Sequence, residues 1–240
     1  MPTSFPGFPA AGLDFLRSLE KHNRREWFQP RKAVYDEQVK RPMIDLVGRV
    51  AQAMMAFAPD YINEPEKAIY RIYRDTRFSK DKTPYKTHIA AIFPRRGLDK
   101  HGGGGLYFAV SHKEVEVAGG IYMPAPETLL AVRTHMADNH EDFRRLIRDR
   151  ALTRLLGELQ GEQLTRVPKG FSADHAAADL LRYKQFLFYT VMDPGIATTP
   201  KLEREVVTRF RALMPVLEFL NRPLVHAAKK TRPLVPMEWR

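Results

Sequence analysis

Four short runs of β-branched and aromatic residues in the middle of the chain restrict its fold more than any other feature. Turns rich in glycine, proline or charged residues separate the runs, which cover residues 68–73, 88–93, 106–111 and 115–122. Runs of this length and spacing predict a meander of antiparallel strands. The glycine-rich stretch that begins at His101 is then the connection between the second and third predicted strands.

The helical period of hydrophobicity appears before these runs. It predicts one helix that ends near residues 21–22, then a turn opened by a capping box of Asn23 and Glu26, and then a long helix from Pro30 onward. Pro42 must kink or restart the long helix, because proline cannot donate the helical hydrogen bond.

The same period returns after the runs. Helices are predicted over residues 127–137, after a cap at Asn139, over residues 174–182, and from a cap at Thr199 with Pro200 in the first position. Residues 185–192 are apolar and aromatic, and their short run predicts one more strand, which we expect to be buried.

This order of elements predicts an α+β fold in which helices cover an antiparallel sheet. A chain of 240 residues can bury a substantial core, and we expect a single domain over residues 1–220. Residues 221–240 are basic and contain prolines, so we expect them to form an extended or disordered C-terminal tail.

Several classes of protein lack support in the sequence. There is no cysteine, no apolar run of the roughly eighteen residues that a membrane span needs, and no start typical of an export signal. We therefore expect a cytoplasmic protein with no membrane partner. No phosphate-binding loop and no H-E-x-x-H motif occurs, and His135 and His140 would lie on different helix faces, so we expect no metal site.

The net charge of +11 favours an anionic partner, either a phosphorylated small molecule or nucleic acid. The charge is concentrated in residues 71–86, RIYRDTRFSKDKTPYK, where six Lys or Arg residues stand against two Asp residues and are interleaved with aromatic residues. The candidate ligand-binding residues of this segment are Arg71, Arg74, Arg77, Asp81, Lys82 and Lys86.

Two local conformations would gather the arginines of this segment around Asp75. On a strand, Arg71, Asp75 and Arg77 would share one face. In a helix, Arg71, Arg74 and Asp75 would align instead. Arginine at these sites suits bidentate recognition of a phosphate or carboxylate. Asp75 and Asp81 could bind Mg²⁺ with a phosphate, although an ion pair of each with an arginine is the simpler interpretation.

The segment also resembles the bacterial and fungal family called domain of unknown function 2461. The resemblance rests on Arg71, Arg74, Asp75, Arg77, Phe78, Asp81, Lys82 and Tyr85, and extends from about residue 13 to about residue 192. It implies that this segment is the defining feature of the chain, and that Lys169 and His175 belong to the same site. It implies no reaction and no cofactor.

Three functional hypotheses follow from these patterns. A compact anion site is favoured, because acids at fixed places among the cations suit a placed ligand more than a polyanion. If the site is catalytic, Asp75, Tyr85 and His175 are the candidates for proton transfer. The alternatives are a nucleic-acid-binding module and an Arg–Asp network that is purely structural.

Overall fold

The computed structural model describes residues 4–231 of the chain, with side chains through residue 225. Within this part, the strands are β1 (His88–Pro94), β2 (Gly105–Ser111), β3 (Val115–Ile121) and β4 (Phe186–Met192). The α-helices are α1 (Ala10–Lys21), α2 (Arg25–Phe28), α3 (Lys32–Tyr35), α4 (Arg41–Met54), α5 (Pro65–Ala68), α6 (Pro126–Asp138), α7 (His140–Ile147), α8 (Arg150–Leu156), α9 (Ala178–Leu181) and α10 (Lys201–Thr231). Short 3₁₀ turns cover Gln29–Arg31, Pro59–Tyr61 and Pro194–Thr198, and a π-helical turn covers Asp36–Lys40.

The strands form one antiparallel sheet in the order β1-β2-β3-β4, which confirms the predicted α+β fold. The prediction of a first strand over residues 68–73 is wrong. Its start belongs to α5, and the rest makes only isolated bridges, from Ile69 to Ala91 and from Tyr73 to Tyr85. A bend at Ile72 separates the two bridges, so the segment leaves β1 before a continuous ladder can form.

The two faces of the sheet differ. On one face, the rings of Phe93 and Phe108 lie 5.4 Å and 6.2 Å from the ring of Phe210 on α10. On the other face, Tyr189 and Val191 of the edge strand β4 are 42% and 49% exposed. The strand predicted at residues 185–192 is therefore confirmed, but it is buried on one face only, as is common in antiparallel sheets that pack one face on the core and leave the other to solvent.

The final helix is longer than the sequence predicts. Its predicted apolar residues Leu202, Val206, Phe210, Leu213 and Leu217 are all buried. The helix continues through Pro215 and Pro223 to Thr231, so the prediction of an extended or disordered tail is wrong for residues 221–231. Residues 232–240 lie outside the described residues. Part of this continuation is anchored in the core, since the buried Asn221 bonds the backbone of Gly104 in the loop before β2.

Two other local predictions are wrong, namely the cap at Asn23 and the full length of the helix over residues 174–182. The Asn23 side chain does not cap α2; its amide instead accepts a hydrogen bond from the Tyr85 N–H at 3.0 Å and donates one to the Tyr85 carbonyl at 2.9 Å. The helix predicted at residues 174–182 is helical only at Ala178–Leu181. Side-chain atoms of Ser172 and His175 accept hydrogen bonds from nearby backbone N–H groups and hold the preceding residues in turns.

The long N-terminal helix changes its hydrogen-bonding pattern next to Pro42, where the sequence predicts a kink or a restart. A π-helical turn at Asp36–Lys40 runs directly into α4, and Pro42 is the second residue of that helix. No helix in the described residues has both the length and the apolar content needed to cross a membrane.

Candidate anion-binding site

Residues 70–90 form an arm that leaves the edge of β1 and returns to it. At its base, the Tyr70 N–H donates to the Ala90 carbonyl at 2.9 Å, and the Lys86 N–H donates to the Ile72 carbonyl at 2.8 Å. Farther out, the Arg74 N–H donates to the Pro84 carbonyl at 2.9 Å. The arm is therefore an irregular hairpin, which matches neither the regular strand nor the helix considered for this segment.

The outer half of the arm is an internal network of ion pairs. Arg77 binds Asp75 through Nε at 3.0 Å and through a terminal nitrogen at 2.8 Å. Arg74 binds Asp81, whose carboxylate also accepts the Thr83 N–H at 2.9 Å. These contacts agree with the ion-pair interpretation of both acids. Lys82 donates to the Thr76 carbonyl at 2.9 Å, so it too serves the turn.

These bonds hold both carboxylates in the ionised form. The Arg77 side chain and N–H hold the pKa of Asp75 at about 2, and the Thr83 N–H with the Arg74 side chain does the same for Asp81. A carboxylate with so low a pKa is a weak base at neutral pH. The geometry therefore does not favour Asp75 as the acceptor in proton transfer.

The low pKa of Asp75 gives a direct test of the network. Because the folded pKa lies below the ordinary value of 3.8, the ionised pair stabilises the arm above about pH 4 and loses this effect as the pH falls through about 2. Carboxyl ¹³C NMR should show a midpoint for Asp75 near pH 2, and the Arg77→Met variant should move it upward. An unchanged midpoint in this variant would show that Arg77 does not hold the carboxylate.

Tyr85 anchors the arm in the core. Its ring stacks on Phe28 with centroids 4.2 Å apart and lies 5.4 Å from the ring of Tyr73. The side chain is buried, and this burial raises the pKa of Tyr85. The position identifies a packing role for Tyr85, while its predicted part in proton transfer stays a prediction.

A cluster of cations occupies the base of the arm. The Nζ atoms of Lys86 and Lys100 lie 4.8 Å and 4.4 Å from the centre of the Tyr70 ring. Burial, together with the nearby charges of Arg71 and Lys100, lowers the pKa of Lys86. We call Tyr70, Arg71, Lys86 and Lys100 the Tyr70 cluster. None of its three cations is within ion-pair distance of a carboxylate in the part of the chain that the structure describes.

The Tyr70 cluster joins two predicted residues to one that the sequence did not indicate. Arg71 and Lys86 were predicted; Lys100 lies in the glycine-rich loop before β2, outside any pattern of the motif. A cleft of about 280 Å³ is lined by Tyr70 and Arg71 of the cluster, together with both basic and acidic side chains, among them Lys40, Asp36 and Glu66. Lys86 and Lys100 do not line this cleft. Arg71 and Lys100 are themselves exposed, so an anion beside them would be reachable from solvent.

The remaining predicted residues lie apart from the Tyr70 cluster. His175 lies beside α7, with its ring 6.0 Å from that of His140, and its Nδ1 accepts the Ala177 N–H. Lys169 lies in the loop before it and makes no hydrogen bond or ion pair with any described residue. No bond or ring contact among residues 4–225 joins either one to the arm. The predicted common site with the arm is therefore not formed by direct contact.

The described residues contain no group of three His, Asp or Glu side chains arranged to hold a metal ion. The charged side chains of the arm form two groups, the cations near Tyr70 and the Arg–Asp ion pairs farther out.

Comparison with protein families matches residues 11–219 to the model described as conserved hypothetical protein, DUF2461. The match covers most of the chain and includes the whole arm. Neither the curated proteins nor the solved structures gave a match. The chain therefore belongs to the DUF2461 family.

Proposed function

We propose that the chain binds a compact anion of the phosphate type at the Tyr70 cluster. The observation that carries the proposal is that Lys86 and Lys100 both lie at the Tyr70 ring, with the charge of Arg71 near Lys86. None of the three forms an ion pair with a carboxylate among the described residues, although the charge of Arg71 also helps to lower the pKa of Asp75. Like charges at close range repel each other, and burial adds to the cost of the charge on Lys86. A bound anion would remove both costs.

The chemistry of the three side chains suits such a ligand. The planar guanidinium of Arg71 can donate two parallel hydrogen bonds to a phosphate, and the two lysines supply mobile point charges. The outer arginines are less suitable, because Arg74 and Arg77 already bind Asp81 and Asp75. The proposal therefore assigns a binding role to the base of the arm and a structural role to its outer half.

The test is thermal unfolding of wild type and variants in phosphate and in chloride of equal ionic strength. If phosphate binds with a Kd of about 1 mM, 10 mM phosphate stabilises the protein by about 1.4 kcal/mol, which raises Tm by about 3–5 °C. Lys86→Met with Lys100→Met should abolish this rise. Lys80→Met, which removes an exposed cation from the outer arm, should keep it. Equal rises in all three proteins would reject the Tyr70 cluster as the site.

One observation favours nucleic acid as a second candidate. Phe78 at the tip of the arm is 95% exposed, and the Arg77 guanidinium lies 5.8 Å from its ring. Exposed aromatic rings beside cations stack on unpaired bases. Fluorescence anisotropy with a labelled single strand should then show affinity that falls steeply with salt and is weakened by Phe78→Ala. Binding that is unaffected by Phe78→Ala would exclude the tip as a stacking platform.

A further inference from the structure

The cleft that Arg71 lines has walls from two parts of the chain. One wall comes from α3 and the π-helical turn after it, and includes Tyr35, Asp36 and Lys40. The other wall comes from the segment that runs from α5 into the arm, and includes Arg71 and Tyr73. The volume of about 280 Å³ lies at the small end of the range for ligand pockets. The cleft therefore suits a ligand built on a single ring.

The hydroxyl group of Tyr35 is an unused polar group in this cleft. The Tyr35 side chain is only 6% exposed, and its ring lies 6.0 Å from that of Phe15 and 5.7 Å from that of Phe28. The hydroxyl makes no hydrogen bond with any residue that the structure describes. It keeps some accessible surface, whereas the buried hydroxyl of Tyr85 has none. A molecule in the cleft can therefore reach the Tyr35 hydroxyl.

This hydroxyl is a hydrogen-bond donor at pH 7. Burial raises the pKa of Tyr35, and the nearby Asp36 and Tyr73 raise it further, so the oxygen keeps its proton. Both of these neighbours line the cleft, which is where the hydroxyl opens. The carboxylate of Asp36 is bound by Lys32 instead. An oxygen atom of a ligand would supply the acceptor that the Tyr35 hydroxyl lacks.

The charged side chains of the lining leave a surplus of positive charge. They are three cations, Lys32, Lys40 and Arg71, and two carboxylates, Asp36 and Glu66. Lys32 and Asp36 form an ion pair with each other. Lys40 and Arg71 form no ion pair within the described part of the chain, and only the carboxylate of Glu66 stands against these two cations. The surplus favours a ligand that carries one negative charge.

Aromatic side chains supply the apolar part of the cleft. Tyr73 is 44% exposed, and its ring lies 6.4 Å from the buried ring of Phe28. Both residues line the cleft, together with Tyr35 and Tyr70. Aromatic rings pack on one another in offset or edge-to-face arrangements that stabilise a complex beyond the area they bury. The lining therefore favours a planar ring as the body of the ligand.

We infer that this cleft is a second binding site, which takes a small aromatic acid with a polar group on its ring. The ring packs against Tyr73, the polar group accepts the hydrogen bond of the Tyr35 hydroxyl, and the carboxylate lies near Lys40 and Arg71. The inference goes beyond the proposed function, because the two lysines of the Tyr70 cluster do not line the cleft.

Calorimetric titration of the full chain with three probes tests the inference at pH 7. The probes are 4-hydroxybenzoate, benzoate, which lacks the polar group, and 4-hydroxybenzyl alcohol, which lacks the charge. We expect 4-hydroxybenzoate to bind about fivefold more tightly than benzoate, the effect of one hydrogen bond. Tyr35→Phe, which removes only a hydroxyl without a partner, should abolish this difference. The matched control Tyr189→Phe, on the exposed side of β4, should keep it.

The same titrations test the charge of the cleft. Lys40→Met should weaken the binding of both acids about threefold, as expected for an exposed ion pair, and leave the binding of the neutral alcohol unchanged. Lys80→Met, which removes an exposed cation from the outer arm, should leave the affinity for all three probes unchanged. Equal losses for the acids and the alcohol in Lys40→Met would overturn the placement of the carboxylate.

The outcomes separate this inference from the proposed phosphate site. The inference is overturned if none of the probes binds, if wild type binds 4-hydroxybenzoate and benzoate equally, or if the difference survives in Tyr35→Phe. None of these results bears on phosphate binding, which the two lysines of the Tyr70 cluster determine. Lys86→Met with Lys100→Met should still bind 4-hydroxybenzoate as wild type does. Loss of the aromatic acid in this double variant would place it at the Tyr70 cluster and overturn the inference of a second site.

Discussion

Phe28→Ala is expected to lower the free energy of unfolding by about 3–5 kcal/mol, the range measured for large-to-small changes of buried aromatic residues. Phe28 is fully buried and contacts four other rings. It stacks on Tyr85 at 4.2 Å and meets the rings of Phe15, Tyr35 and Tyr73 at 5.7–6.4 Å. The cavity left by its removal would open between the helical N-terminal part and the arm, so the arm should loosen as well.

Urea denaturation measures this effect, and the chain offers a matched control. Phe78→Ala removes the same side chain from the tip of the same arm, where it is 95% exposed, and should change the free energy of unfolding by less than about 0.5 kcal/mol. Similar losses in the two variants would contradict the arrangement, because they would mean that Phe28 is no better packed than Phe78.

Asn221→Leu is expected to cost about 3 kcal/mol or more. The buried amide of Asn221 accepts the Gly104 N–H at 2.7 Å and donates to the Gly104 carbonyl at 2.9 Å and to the Tyr61 hydroxyl at 2.8 Å. Leucine is similar in size but leaves these polar groups buried without partners, and each such group costs about 1–3 kcal/mol. The backbone of Gly104 ends the loop that carries Lys100, so phosphate binding should weaken in the same variant.

The control for this change is Asn63→Leu. Asn63 is only partly buried, and its amide donates to the Tyr61 and Pro94 carbonyls at 3.1 Å and 3.4 Å, so its loss should cost about 1 kcal/mol and leave phosphate binding intact. The account would be wrong about the loop if Asn221→Leu lost stability but bound phosphate as wild type does.

The regular elements of the fold could be predicted from the sequence because their hydrophobic periods are local. The strands at residues 88–93, 106–111 and 115–122 and the helix over residues 127–137 each need only their own pattern of burial. The segment over residues 68–73 has the composition of a strand, but its backbone pairs first with β1 and then with residues near Tyr85. Partners distant in sequence decided its conformation.

The candidate site shows the same limit. The sequence favoured an ion pair of each aspartate with an arginine, but both conformations considered for the segment gathered the arginines around Asp75. The turn at residues 75–84 instead divides them between Asp75 and Asp81. Asp75 binds Arg77 and Asp81 binds Arg74, while Arg71 joins the lysines. Lys100 reaches Tyr70 from the loop before β2, whose last residue, Gly104, is bonded to Asn221, more than a hundred residues away. No local pattern contains that contact.

The central claim is that the motif divides into a structural outer arm and a binding base. Two-dimensional ¹H–¹⁵N NMR during a titration with inorganic phosphate at constant ionic strength tests it most directly. If the base of the arm binds the anion, saturable shifts will be concentrated at the backbone amides of Tyr70, Arg71, Lys86 and Lys100, with little change at Arg74 and Arg77. Saturable shifts centred on Arg74 and Arg77, or the absence of any saturable shift, would contradict it.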